Sequence, residues 1–310
     1  MKKVLLTGGA GFIGSHIADL LINRGYSLAI VDNLSTGKAE YLNPKAIFYK
    51  RDITENLTDI FEKEKPDFLI HTAAQVMLRK SFQDPMHDAK TNILGTINIL
   101  EECKKHNVKK IIYTSTGGAR VGEPIYLPVD EKHPINPCSP YGISKHTAEH
   151  YVQMFSQINN MDYLIFCFGN VYGPRDDPQC GRVASVFLDK ILKNQSPIIF
   201  GDGTQTRDFI YVLDIAEFIV DSLEKSPKTK LFHLANGEEV SINDVFNILK
   251  NLTNFQGNPT HIPAIKGEVK NIVLDTSKAK EELNWFPKHS IEQGLKETFD
   301  WFKANIVVTK

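Results

Sequence analysis

In the first half of the chain, short runs in which almost every residue is apolar alternate with longer stretches whose apolar positions recur every three or four residues. The runs Val4–Thr7, Leu28–Val31, Ile47–Tyr49, Phe68–His71, Ile111–Thr114 and Tyr163–Phe168 predict β-strands buried on both faces, as in parallel sheets. Between them the spacing predicts helices over Ile13–Arg24, closing at Gly25, and over Thr54–Lys63, ending before Pro66. Longer helices are predicted over Pro85–His106, with Ile93, Ile97 and Leu100 on one face, and over Tyr141–Asn159. Strand alternating with helix in this way predicts an α/β fold with a doubly wound parallel sheet. After Asn170-Val171-Tyr172-Gly173-Pro174-Arg175 the rhythm loosens, and turn clusters appear at Gly201-Asp202-Gly203 and Gly257-Asn258-Pro259. This predicts a smaller C-terminal lobe over residues 171–310, set on the carboxyl ends of the strands, with some segments returning to the domain formed by residues 1–170.

The chemistry starts between the first strand and the first helix, at Thr7-Gly8-Gly9-Ala10-Gly11-Phe12-Ile13-Gly14. Gly8 permits the tight turn, Gly11 lets backbone amides approach a pyrophosphate, and Gly14 lets the helix pack close on the strand. Phe12 and Ile13 open the helix whose N-terminus favours an anion. Glycine spacing alone is weak, but the second apolar run ends in Asp32, where a carboxylate can accept from adenosine ribose hydroxyls. The two together predict a Rossmann-type dinucleotide site. Asp32 would repel a 2′-phosphate and Asn33-Leu34 bring no arginine to offset it, so NAD is expected over NADP.

Composition changes this picture little. The 310 residues are 42% hydrophobic and 24% charged, with a formal net charge of −1, which gives no electrostatic reason to expect nucleic acid or a membrane surface. Only three apolar residues follow Lys2-Lys3 before Thr7, too few for a signal-peptide core, so a cytoplasmic protein is expected. Cys103, Cys138, Cys167 and Cys180 have no metal-type spacing and read as reduced thiols; with ten scattered histidines, no metal site is expected.

Tyr141-Gly142-Ile143-Ser144-Lys145 places Tyr and Lys at i and i+4 on one helix face. Ionising a phenol at pH 7 costs roughly 4 kcal/mol. A cation about 6 Å away supplies about 2–3 kcal/mol at an effective dielectric near 20, so Lys145 and an oxidised nicotinamide together suffice. In isolation the pair would read as a helix-start aromatic and a solvated charge; beside a dinucleotide fold it reads as acid–base machinery. Thr116 ends the fifth strand in Tyr113-Thr114-Ser115-Thr116-Gly117-Gly118 and supplies a hydroxyl to share the proton of a reacting oxygen, where it could otherwise serve as a strand-end cap.

These residues resemble the extended short-chain dehydrogenases/reductases, and within them the nucleotide-sugar epimerases of the UDP-glucose 4-epimerase type. The resemblance runs through Ser15-His16, Asp32-Asn33-Leu34-Ser35, Asp52-Ile53, His71-Thr72-Ala73-Ala74-Gln75, Asn92, Ser115–Ala119, Pro140–Lys145, Asn170–Arg175 and Gly201-Asp202-Gly203 followed by Arg207-Asp208-Phe209. It implies that Asp32 and Asn33 hold the adenosine ribose, Asp52 and Ile53 the adenine, and Ala73 and Ala74 the centre of NAD. It makes Tyr141 the base, Lys145 its electrostatic partner and nicotinamide-ribose ligand, and Thr116 the hydrogen-bonding hydroxyl. Asn170 and Arg207 are implied to hold the substrate, Arg207 through a diphosphate that its planar fork suits. The implied reaction removes hydride from C4 of a UDP-hexose and returns it to the other face, with NAD tightly held and no net redox. A homodimer is implied, formed through the helices Pro85–His106 and Tyr141–Asn159.

Alternatives within reach of the same residues are an epimerase of UDP-N-acetylhexosamine or UDP-uronic acid, a nucleotide-sugar dehydrogenase or reductase, a dehydratase, and a non-catalytic NAD-binding protein. Gly117 and Gly118 stand where dehydratases and decarboxylases carry acids. Four departures from the pattern bear on the sugar and its diphosphate. Arg120 and Val121 replace an apolar residue and a tyrosine, and Arg120 is expected to be a solvated loop charge, or else to face a carboxylated sugar. Ile265 stands where an arginine is common, with Lys266 a possible substitute; Cys167 also stands in place of an arginine; and Ile272 falls at the sugar-size gate.

Overall fold

The computed structural model describes residues 1–264 and 269–305. Ile265 and Lys266, invoked above for the diphosphate, lie outside them.

The chain opens with β1 (Lys3–Thr7), α1 (Phe12–Asn23), β2 (Ser27–Asp32), β3 (Ile47–Lys50), α2 (Thr58–Glu64) and β4 (Phe68–His71). Next come α3 (Leu78–Gln83), α4 (Pro85–Ala89), α5 (Gly95–Lys105), β5 (Lys110–Thr116), α6 (Gly118–Val121), α7 (Pro140–Asn159) and β6 (Asp162–Phe168). The later elements are β7 (Asn170–Tyr172), α8 (Val183–Leu192), β8 (Ile198–Phe200), β9 (Thr206–Arg207), β10 (Phe209–Tyr211), α9 (Val212–Asp221) and β11 (Leu231–Leu234). They are followed by β12 (Val240–Ser241), α10 (Ile242–Thr253), β13 (Thr260–Ile262), α11 (Ser277–Leu283) and α12 (Ile291–Asn305).

A seven-stranded sheet runs in the order β11-β6-β5-β4-β1-β2-β3. The pairings among β1 to β5 are all parallel. Thr7 is in register with Val31 and His71, and His71 with Tyr113, so the glycine turn, Asp32, Ala73 and Thr116 all leave the sheet at one edge. Strand order reverses between β1 and β4, the crevice in which open α/β sheets bind ligands.

Two compact units divide the chain. The first comprises residues 1–122, 135–167 and 215–232; the second comprises residues 123–134, 168–214 and 233–310. In the first, Leu5, Val31, Leu69, Ile111 and Ile165 from the strands pack with Ile99 and Leu100 of α5 and Val152 of α7. In the second, Phe187 and Leu188 of α8, Val245, Phe246 and Leu249 of α10 and Leu295 and Phe302 of α12 enclose Tyr172, Phe209 and Tyr211.

Two predicted helices differ from those observed. Thr54 does not begin α2: its amide and hydroxyl both donate to Asp52 Oδ1, at 2.9 and 2.7 Å, closing a side-chain turn in place of a helical one. The helix starts at Thr58, whose amide donates to Asn56 Oδ1. The predicted helix over Pro85–His106 is broken into α4 and α5 by a π-helical segment at Lys90–Leu94. Apolar periodicity cannot register such an insertion, since the face it presents drifts by less than one side chain.

Candidate active site

The glycine turn is built as the spacing demands. Gly8 has φ +73°, and a Cβ there would stand 2.6 Å from Ala73 N. On Gly14 a Cβ would lie 2.1 Å from Gly8 O, so α1 can pack this close to the turn only with hydrogen at that position. Gly11 caps α1 with no side-chain acceptor, and the first turn, which begins with Phe12 and Ile13, holds no acid. A Cβ on Gly11 would meet only Gly8 O, at 3.2 Å. The positive end of the helix therefore carries no acidic side chain of its own first turn, which suits a pyrophosphate.

Asp32 lies beside this turn, Oδ2 accepting from Ala10 N at 3.0 Å and Oδ1 from Leu34 N at 2.8 Å. Burial raises its carboxyl above the usual range, with these two amides acting against the rise. The carboxylate is thus oriented by backbone, with lone pairs left over for ribose hydroxyls. Asn33 Nδ2 donates to Asp52 Oδ2 at 2.6 Å, joining the two loops that the resemblance assigns to the adenosine. Burial raises the Asp52 carboxyl too, but bonds from Thr54 and Asn33 outweigh it and the net shift is downward. Ile53, next to it, is buried, and Gly95 lets α5 approach it. Ala73 and Ala74 follow β4, where Ala73 N lies 3.4 Å from Thr7 Oγ1.

Tyr141 is the second residue of α7. Ser139 caps this helix by accepting from Gly142 N at 3.0 Å, and Pro140 presets the first turn. A Cβ on Gly142 would stand 2.1 Å from Ala119 O, so glycine brings the first turn of α7 against the segment that follows Thr116. Thr116 ends β5, its Oγ1 3.4 Å from Ala119 N. Lys145 is 4% exposed and its Nζ lies 4.1 Å from the centre of the Tyr113 ring. Burial pushes the ammonium down to about 7, with Glu149, Cys167 and Asp88 opposing the fall. A lysine so placed gains its charge when a negative partner forms nearby, as a phenolate on the same helix face would be.

Polar groups without an assigned role in the sequence reading complete the site. His71 Nδ1 is 2.6 Å from Thr7 Oγ1 and Nε2 is 3.0 Å from Thr96 Oγ1. Because the Thr96 hydroxyl donates to Asn92 O, it accepts from His71 Nε2–H, leaving Nδ1 to accept from Thr7. Asn92, in the π-helical segment, accepts from Gln75 N at 2.8 Å and donates to Ser144 Oγ at 3.0 Å. Ser144 in turn donates to Asp88 Oδ2. The loop carrying Ala73 and Ala74 is thereby tied to the residue next to Lys145. The signal was present in the sequence as His71, Gln75 and Asn92, but only their pairing discloses what they do.

Arg120 differs from the favoured expectation for it. It is not the solvated loop charge: its side chain is 5% exposed, and Nη2 lies 3.2 Å from Glu149 Oε2. Its Nη1 is 3.5 Å from Cys167 Sγ. The two departures at 120 and 167 are neighbours in space, the small thiol leaving room for the guanidinium. Ile272, expected at the sugar-size gate, is buried.

Asn170 and Arg207 belong to the second unit, on β7, which pairs with β10, and on β9, which pairs with β12. Asn170 begins β7, its amide donating to Asp208 O at 2.6 Å, and β7 runs parallel to β10. Arg207 Nη1 donates to Thr206 O at 2.7 Å and Lys270 O at 3.1 Å. Beside it Asp208 is buried, and its carboxyl is pushed up to about 7 against the pull of amides from Leu274, Asn236 and Gly237. Among the described residues no group of three or more His, Cys, Asp or Glu side chains could hold a metal ion.

Known proteins match this construction along its length. A protein of Methanocaldococcus jannaschii, provisionally named as a UDP-glucose 4-epimerase, is 46% identical over 306 residues, covering 97% of this chain and 99% of that protein. The UDP-glucose 4-epimerase of Thermotoga maritima, solved with UDP-glucose, is similar with a TM-score of 0.95 and 41% identity, over 97% of this chain and 99% of that one. The Thermus thermophilus UDP-glucose 4-epimerase, solved in complex with NAD, gives 0.92 and 33% over 98% and 100%. A profile of the NAD dependent epimerase/dehydratase family matches residues 4–235, and the chain belongs to that family.

Proposed function

We propose that this chain is an NAD-dependent 4-epimerase of nucleotide sugars, acting on a UDP-hexose of the glucose/galactose type. The observation that carries this reading is Lys145, buried against Tyr113 one helical turn from Tyr141, at the sheet edge where the glycine turn and Asp32 also emerge. Residues 1–170 chiefly hold NAD and residues 171–310 chiefly hold the nucleotide sugar. Gly8, Gly11, Phe12, Ile13 and Gly14 face the pyrophosphate, Asp32 and Asn33 the adenosine ribose, Asp52 and Ile53 the adenine, and Ala73 and Ala74 the centre of the cofactor.

Bound NAD supplies a hydride acceptor that returns what it takes. The chain does the rest. Tyr141 takes the proton of the sugar 4-hydroxyl and gives it back after the 4-keto sugar has turned over. Lys145 lowers the cost of the phenolate, Thr116 shares the hydrogen bond to the reacting oxygen, and Asn170 and Arg207 hold the substrate, Arg207 at the diphosphate. No carboxylate stands at Gly117 or Gly118 to move protons at C5 or C6, which disfavours dehydration. The burial of Arg120 removes one argument for a uronic acid, and the NMR assay with UDP-glucuronate tests that alternative directly.

A homodimer is supported by exposed apolar side chains on the two implied helices: Ile143, Met154 and Ile158 on α7, and Met86 and Leu94 along the α4–α5 segment. All four cysteines are free thiols, which favours a reducing compartment and hence the cytoplasm. No helix among the described residues is long and apolar enough to cross a membrane.

The test is to incubate purified protein, without added cofactor, with UDP-glucose, UDP-N-acetylglucosamine and UDP-glucuronate separately and to resolve the C4 epimers by NMR. Conversion of UDP-glucose is expected, and its loss in Tyr141→Phe. Full conversion by Tyr141→Phe, or a purified protein that holds no NAD, would overturn the reading.

A further inference from the structure

The reaction as described gives Glu149 no contact with the reacting groups beyond its support of the Lys145 charge. It lies one helical turn beyond Lys145 and two beyond Tyr141 on the same face of α7, and its side chain is 2% exposed. Its Oε1 accepts from the hydroxyl of Ser115, the residue before Thr116. Its Oε2 is 3.2 Å from Arg120 Nη2 and 3.0 Å from His146 Nδ1. One carboxylate therefore joins the end of β5 to the face of α7. A carboxylate buried this deeply is strongly disfavoured unless a cation and hydrogen bonds accompany it; Arg120 is the buried cation that pairs with it directly, while Lys145 acts on it from further off.

We infer that Arg120 is a positioning residue of the active site. By pairing with Glu149 and fixing the direction of its carboxylate, it keeps Thr116, through Ser115, in register with Tyr141 and Lys145. Cys167 is part of the same device. Its Sγ lies 3.5 Å from the guanidinium and 3.8 Å from Glu149 Oε1, so the thiol on β6 occupies the second direction from which a cation can reach the carboxylate. One guanidinium, delivered from α6 or from β6, meets the requirement; two would crowd one carboxylate.

The inference rests on the assignment of Tyr141, Lys145 and Thr116 to the reaction. Loss of turnover in Tyr141→Phe is therefore established first on the same full-length preparation: if that variant keeps its rate, the assignment falls and takes this inference with it; if it does not, the following variants decide. Arg120→Val, Cys167→Arg and the double variant are compared for kcat, KM, bound NAD and melting temperature. Arg120→Val is expected to lose roughly ten- to a hundredfold in kcat, with KM and NAD content little changed. Cys167→Arg alone is expected to be impaired as well, and the double variant to recover most of kcat. Should Arg120→Val fail to fold, a folded and active double variant supports the inference and an unfolded one overturns it. Arg120→Val at the wild-type kcat would overturn it, as would a loss confined to KM. A double variant that regains melting temperature but not kcat would make Arg120 a stabilising residue only, and would also overturn it.

Discussion

Lys145 and Tyr113 meet across the contact of α7 with β5, the ammonium nitrogen 4.1 Å from the centre of the ring. Tyr113 is 1% exposed and its hydroxyl lies 3.5 Å from Lys145 O, so a wholly buried strand residue sets the place of a charge on the helix. The ring face replaces part of the hydration that Lys145 loses, and Glu149 and Asp88 replace more.

The first consequence concerns rate. Under the proposed mechanism, Lys145→Met removes one of the two cations that would stabilise a Tyr141 phenolate, a loss of about 2–3 kcal/mol. Epimerisation at pH 7 is expected to fall about a hundredfold, measured as kcat by NMR of the C4 epimers. A variant within threefold of wild type would show that Lys145 does not act on the reacting group.

Gly14→Ala is expected to be far more damaging than Gly25→Ala. The first puts a Cβ 2.1 Å from Gly8 O, where the obstacle is backbone and cannot swing aside. The second has φ +81° and nothing within 4 Å, so only conformational strain of about 1–2 kcal/mol is added. Bound NAD after purification, read with melting temperature, separates the two: Gly14→Ala should lose the cofactor and Gly25→Ala should keep it.

His71 predicts a pH dependence of stability. Burial, and then the nearby Lys145, push its imidazole from an ordinary value near 6.5 down to about 3. The folded chain thus keeps His71 neutral where the unfolded chain takes up a proton. Stability is unaffected above about pH 6.5 and falls as pH drops from there toward 3, by up to roughly 1.4 kcal/mol per pH unit. Urea titrations at a series of pH values should show a weaker slope below pH 6.5 in His71→Asn than in wild type. Equal slopes would mean that His71 is protonated in the fold.

Arg207→Ala should act on binding more than on chemistry. Nη1 is committed to Thr206 O and Lys270 O, which fixes the plane of the guanidinium proposed to meet the diphosphate. Losing charge-assisted bonds worth about 1.5–3 kcal/mol should raise KM roughly ten- to a hundredfold, with kcat changed less. A KM equal to wild type would place the diphosphate elsewhere.

Strands were the most legible part of the molecule. The six runs from Val4 to Phe168 are all strands, with ends differing by one or two residues. Continuous apolar residues follow from burial on both faces in the inner strands, but β3, at the sheet edge, departs from that expectation and leaves Ile47 exposed. Helix boundaries that depend on a side chain catching backbone were not legible: Thr54 turns toward Asp52 rather than into α2. The π-helical turn at Asn92 escaped for a related reason, since one extra residue in a helix alters hydrogen bonding more than it alters apolar spacing.

By itself the sequence determined those features that local chemistry dictates at fixed spacing: the glycines of the turn, the carboxylate at the end of β2, and a tyrosine and lysine four apart on a helix. Each follows from a constraint reaching over a few residues, a positive φ, a close approach or one helical turn. Only the tertiary structure decided the state of the charges. Arg120 reads as a loop cation until Glu149 and Cys167, 29 and 47 positions away, are seen to enclose it. Lys145 reads from the sequence as acid–base machinery, but the burial of its charge shows only when Tyr113 is seen beneath it. The cost of a charge depends on the water removed from it and the partners that replace that water, and both come from residues that only folding brings together.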